Sequence, residues 1–207
     1  MEQTTRKILA VSVSVLVAAV AVYGNYLPLQ KSKLFLRAIS ILPANATQDN
    51  FREIQMILDE PLRAPSPIGQ EEIVREAAKR ALGYVTSDGA IPLVDYIEKY
   101  YAPIAKSGRG MSFSQNLLML GLLHRQAFIA TGDPSHFQAA KAYFEEGYER
   151  GPRRPQFLYA LLQMYQAEKN VAGAKKVGGE ILSLWPEDRT ARESLMKFLE
   201  ENADGGN

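Results

Sequence analysis

Residues 8–29 run for 22 positions without a charge, and beyond Lys31 apolar residues recur every three or four positions between breaks made by proline and glycine. The first pattern predicts a helix able to cross a membrane, because about 20 apolar residues at roughly 1.5 Å rise span a hydrocarbon layer of ~30 Å. Valine and alanine dominate as far as Tyr23, Tyr23 and Tyr26 fall where aromatic side chains meet headgroups, and Pro28 marks the expected exit. Arg6 and Lys7 ahead of the run, with Ala19, Val20 and Ala21 resembling a cleavage site, also fit a signal peptide. The apolar run exceeds the usual signal core of ~7 to 15 residues, which favours an uncleaved anchor.

The second pattern predicts helix after helix. A short one over 31–41 carries Leu34, Phe35 and Ala38 and stops at Pro43; another over 47–58 carries Phe51, Ile54, Ile57 and Leu58 on one face. Ser66 before Pro67 reads as an N-cap with a first-turn proline, opening a helix through Ile73, Ala77 and Ala81 that Gly83 ends or frays. Residues 91–101 repeat the pattern until Pro103 interrupts the ladder, and 106–110 read as a loop. Ser112 and Gln115 form a capping box before the most apolar helix, through Leu117, Leu120, Leu123 and Phe128. Asp133 with Pro134, and then Pro155, open the next two. No stretch alternates with period two over strand length, so the fold class expected is all-α, with about eight helices past the anchor.

Composition narrows the chemistry. There is no cysteine, hence no disulfide, thiolate nucleophile or thiolate metal site. Residues 1–45 carry five Lys/Arg against Glu2, whereas the rest carries 19 basic and 22 acidic residues, a balance that gives nucleic-acid binding no support. His124 and His136, twelve apart with no further ligand at metal spacing, predict neither a metal site nor an acid–base pair. The loop Ser107, Gly108, Arg109, Gly110 lacks the Lys and Ser/Thr of a phosphate loop. Glu71 with Glu72, and Glu145 with Glu146, are helix neighbours that diverge, and Arg153 and Arg154 lie in a loop between prolines. No catalytic residue, metal or cofactor is therefore expected. Two Lys/Arg precede the apolar run and three follow it, so charge barely orients it; the body is expected outside the cytoplasm of a single-pass cell-membrane protein.

One spacing carries more information. Ala140, Phe144 and Pro152 are echoed 34 residues on by Ala174 and Pro186, and Leu158, Leu161 and Tyr165 precede the second set. This period and order resemble the tetratricopeptide repeat over residues 114–199. Leu162, Gly178 and Ile181 depart from the family pattern, and the connection over 131–136 reads about three residues longer than the family's. The resemblance implies a right-handed superhelix of hairpins, with 187–201 as a capping helix and 203–207 as a frayed tail. It divides the chain into an anchor (1–30), an irregular helical stack (31–110) and repeat-like hairpins (111–202). It also implies a concave surface, made by the first helices, that binds an extended protein segment through Gln156, Tyr159, Gln163 and Gln166.

The function expected is a membrane-anchored scaffold for protein partners without catalysis, held to the lipid bilayer through residues 8–29. The layout is also similar to the carboxyl-terminal tail of bacterial membrane proteins of the O-antigen ligase type, following the order Tyr26 to Ala38, Phe51 to Leu58, Glu71 to Ala81. That similarity implies, as the alternative, the tail or a fragment of a lipid-linked glycan transferase, with none of its catalytic residues present here.

Overall fold

The computed structural model describes residues 2–47, 49–85, 91–108 and 113–202. It is all-helical, with no strand among the described residues. Two compact units, Met1–Lys106 and Ser107–Asn207, divide the chain.

Unit 1 begins with a rod. Helix α1 (Glu2–Ala21) passes through a π turn, Val22–Tyr26, into α2 (Leu27–Ile41) without a break, so the chain stays helical past Pro28. The π turn sends the Leu27 N–H to the Val22 carbonyl. Pro28 thus falls in the first turn of the next α segment, where its missing N–H costs little. From Gln3 to Ile41 the rod is long and apolar enough to cross a membrane, and residues 3–26 are exposed throughout.

Helices α3 (Phe51–Arg63) and α4 (Gln70–Tyr84) fold back beside it. Lys31, near the foot of α2, donates to the Ala64 carbonyl at 2.7 Å and to the Gln70 side chain. At the far end the Tyr84 hydroxyl donates to the Pro43 carbonyl at 2.6 Å. Hence α2 and α4 point one way and α3 runs back between their ends. Helix α3 starts four residues later than the pattern suggested, because Thr47 and Asn50 exchange backbone-to-side-chain bonds before it. It then continues through Pro61, a buried member of its apolar face. Ser66 is not the cap of α4. Its hydroxyl serves the loop, donating to the Ile68 carbonyl at 2.6 Å, and Gly69 at φ 86° turns the chain into the helix. Helix α4 stops at Tyr84, one residue past Gly83.

Helix α5 (Ile91–Ser107) runs through Pro103, which is exposed, so one backbone bond is lost on the open side while Leu93, Ile97 and Tyr101 hold the buried side. The loop expected at 106–110 thus begins only after Ser107; Arg109, Gly110 and the Ser112 of the expected capping box lie outside the described residues, as does the tail 203–207. Tyr96 and Tyr100 of α5 donate to Asp59 of α3 at 2.8 and 2.7 Å, and Arg63 pairs with the same carboxylate at 2.9 Å. Burial by itself pushes the Asp59 carboxyl up; the two phenols and Arg63 outweigh it and hold the carboxyl below its ordinary value. A carboxyl depressed by folding stabilises above its unfolded pKa of about 3.9, and that contribution disappears as pH falls through the folded value. Asp59→Asn is therefore expected to lose less stability than wild type between pH 5 and about pH 2, measured as the urea midpoint. Parallel pH curves would show that Asp59 contributes no acid sensitivity.

Unit 2 is a row of helices, each packed on the next: α6 (Phe113–Thr131), α7 (Pro134–Arg150), α8 (Pro155–Ala167), α9 (Val171–Leu184) and α10 (Arg189–Glu201). Asp133, Asn170 and Asp188 cap α7, α9 and α10 through side-chain oxygens, satisfying first-turn N–H groups. Only Gly132 and Asp133 separate α6 from α7, so the extra length expected in that connection is taken up inside the helices. Ala140 and Ala174 are fully buried.

Glycine sets the helix spacing at three further places. Gly121 receives the Phe144 ring, Gly147 the Phe157 ring and Gly178 the Leu195 side chain, each so closely that an added Cβ would come within 3.0 Å of its neighbour. Gly178, a departure from the repeat pattern, thereby makes the seat for α10.

Candidate functional site

Helix α8 is buried on most of its circumference by Phe157, Leu158, Ala160, Leu161, Leu162 and Met164. What remains is a narrow polar strip, because Gln156, Tyr159, Gln163 and Gln166 recur at three- and four-residue intervals along one face. Gln156 and Gln163 are exposed, and Tyr159 and Gln166 are half-buried.

Three of these four side chains tie α8 to its flanking helices. Gln163 accepts from Arg125 of α6 at 2.5 Å. Gln166 donates from Nε2 to the Ser194 carbonyl and hydroxyl of α10 at 3.2 and 3.1 Å. The Tyr159 hydroxyl donates to Asp188, and its ring stacks on Trp185 with centroids 6.3 Å apart and planes at 26°. Asp188 is held below the usual carboxylate range by the backbone N–H of Ala191 and then by Tyr159. The same bond, with burial, pushes the Tyr159 hydroxyl up to about 12. Alternate helices α6, α8 and α10 are thus linked side by side, and the strip of amides runs along the middle of the face they share.

On the α7–α9 side, Tyr148, Pro152, Arg153, Glu180, Ser183 and Leu184 line an open hollow of about 300 Å³. Tyr148 donates to both Glu180 oxygens, at 2.9 and 2.7 Å, which with burial pushes its hydroxyl up to about 12. Arg154 turns the other way, donating to the Ser114 hydroxyl. Glu145 accepts from Tyr165 at 3.2 Å and Glu146 pairs with Arg150 at 2.8 Å, so this carboxylate pair diverges into two separate contacts. Glu71 and Glu72 occupy the first turn of α4, where negative charge suits the helix N-terminus.

Sequence spacing missed the relation between the histidines. Both are buried, and their Nδ1 atoms approach to 3.0 Å across the α6–α7 hairpin, with Tyr143 stacked on His124 at 5.7 Å. One ring must donate and the other accept, so the pair clasps the hairpin. No group of three possible ligands surrounds a metal position among the described residues. The signal that locates the pair is the two-residue turn, which folds positions on either side of it together.

Comparison of the chain with protein-family models, with curated proteins and with solved structures finds no match in any of the three.

Proposed function

We propose that the chain is a membrane-anchored scaffold of tetratricopeptide-like hairpins that holds an extended segment of a protein partner on the α6–α8–α10 face, without chemistry of its own. The observation that carries this reading is the lateral bonding of alternate helices, Arg125 to Gln163 and Gln166 to Ser194, which lays three helices into one surface. Helical hairpins stacked in chain order form a right-handed superhelix, and the side lined by their first helices is concave. Amide side chains there offer both donors and acceptors, which suits the backbone of an extended peptide more than a charged tail. The apolar rod, exposed over residues 3–26, supports placement at a membrane; the side proposed for the body is outside the cytoplasm.

The test is a photo-crosslinking residue at Gln163, with the same residue at Lys175, exposed on α9, as comparison. Partner adducts are expected from position 163 alone. The variant Gln156→Ala with Gln163→Ala and Gln166→Ala is expected to weaken retention of that partner on the order of 100-fold, at about 1 kcal/mol for each amide lost. Tyr159 is left intact because its bond to Asp188 supports the fold; Gln163 and Gln166 also bond to Arg125 and Ser194, so the variant's thermal midpoint is measured beside wild type, and weakened retention at an unchanged midpoint is the expected result. Equal crosslinking from both positions, or unchanged retention by the triple variant, removes this face from consideration.

A further inference from the structure

The loop between α3 and α4, residues 64–69, stands beside the end of the apolar rod, and we propose that it is a second membrane contact, with Ile68 entering the lipid interface next to the anchor. The proposal rests on the reading of residues 8–29 as a membrane span.

Lys31 fixes the height of the loop. It lies two residues past Leu29, is 3 % exposed, and holds the Ala64 carbonyl and the Gln70 side chain, the two ends of the loop. Cα–Cβ bonds in a helix tilt toward its N-terminus, so this ammonium reaches back along the rod and meets the loop level with the last turn of the span. Exposure along the rod agrees: residues 3–26 are open, whereas Leu27, Pro28 and Gln30 are already partly covered.

The loop presents an apolar tip. Pro65, Pro67 and Ile68 are exposed, Ile68 at 61 %. Its backbone is also suited to leaving water. Pro65 and Pro67 have no N–H to satisfy, and the Ser66 hydroxyl serves Ile68 twice, donating to its carbonyl at 2.6 Å and accepting from its N–H at 3.4 Å. Backbone groups without such partners resist entry into lipid. Just beyond, Lys33 and Arg37 are exposed on α2, at the height where anionic headgroups would meet them. Attachment at two points would stop unit 1 from turning freely about its rod.

The absence of cysteine makes the experiment direct. Full-length protein carrying Ile68→Cys, Met56→Cys or Val15→Cys is labelled with the environment-sensitive NBD group and reconstituted in phosphatidylcholine–phosphatidylglycerol vesicles. Lipids carrying a nitroxide either near the headgroup or at mid-chain then act as quenchers. Met56 is exposed about 10 Å further along α3 and serves as the aqueous reference. The expected result is mid-chain quenching at 15, blue-shifted emission with stronger quenching near the headgroup at 68, and water-like emission at 56. Emission at 68 like that at 56, with 15 quenched, overturns the second contact and leaves the anchor standing. A blue shift at 68 without lipid quenching means protein covers the loop, and also overturns it. Absence of quenching at 15 removes the span and the inference together. Ile68 and Met56 are exposed, so far-UV helicity equal to wild type is expected in each variant.

Discussion

Gly147→Ala is expected to destabilise unit 2 by about 2 kcal/mol or more, although alanine is the better helix former. The new Cβ would lie closer than 3.0 Å to three ring carbons of Phe157, and that ring is only 2 % exposed, closed in by its neighbours. Either α7 and α8 move apart or the ring leaves its rotamer, and a close-packed core resists both. Gly179→Ala, in the same unit, meets nothing within 4 Å and is expected to raise stability by about 0.5 to 1 kcal/mol. Opposite signs for one chemical change, read as shifts in thermal midpoint of roughly 4–8 °C per kcal/mol, separate packing from propensity. A Gly147→Ala protein as stable as wild type would mean that the Phe157 ring does not occupy that space.

The second large effect concerns the rod. Ile8, Leu9, Val11, Val13, Val15, Leu16, Val17, Val20 and Val22 are each at least half exposed, with nothing in unit 1 covering them. Leaving such a surface in water costs on the order of 10 kcal/mol, taking ~1.5 to 3 kcal/mol for each large side chain fully withdrawn. The full chain is therefore expected to stay in the membrane fraction after alkaline carbonate washing, and a chain lacking residues 1–30 to be released as a helical body. Recovery of the intact protein in the wash would overturn anchoring. Amino-terminal sequencing of the membrane-bound protein separates an anchor from a cleaved leader, because cleavage would start the chain near Val22.

Much of the helix order was legible because its signals are local. Asp133 marks a helix start by a capping bond two residues on, and Pro155, after a glycine and proline break, by its fixed φ at the first helical position, and the structure begins helices at both. Pro103 misled because proline removes one bond and a helix tolerates that loss where it faces open solvent. Ser66 misled for a related reason, since the same hydroxyl that caps a helix can close a loop. At the candidate site, the four polar residues of α8 shared a face by spacing alone. Their bonds to Arg125, Asp188 and Ser194 span 28 to 38 residues of sequence, beyond any periodicity argument; Arg125 and Gln163, for instance, are 38 apart. Lys31 is the sharpest case: a lysine after an apolar run reads as facing headgroups, and its burial depends on partners 33 and 39 residues downstream.

The π turn at Val22–Tyr26 holds one more residue than a regular helical turn would need. That surplus offsets the angular register of α1 from α2 by about 100°, so the direction in which the faces of α1 point is set separately from the side of α2 that carries the body. Excising a single residue there would swivel one relative to the other while leaving both intact.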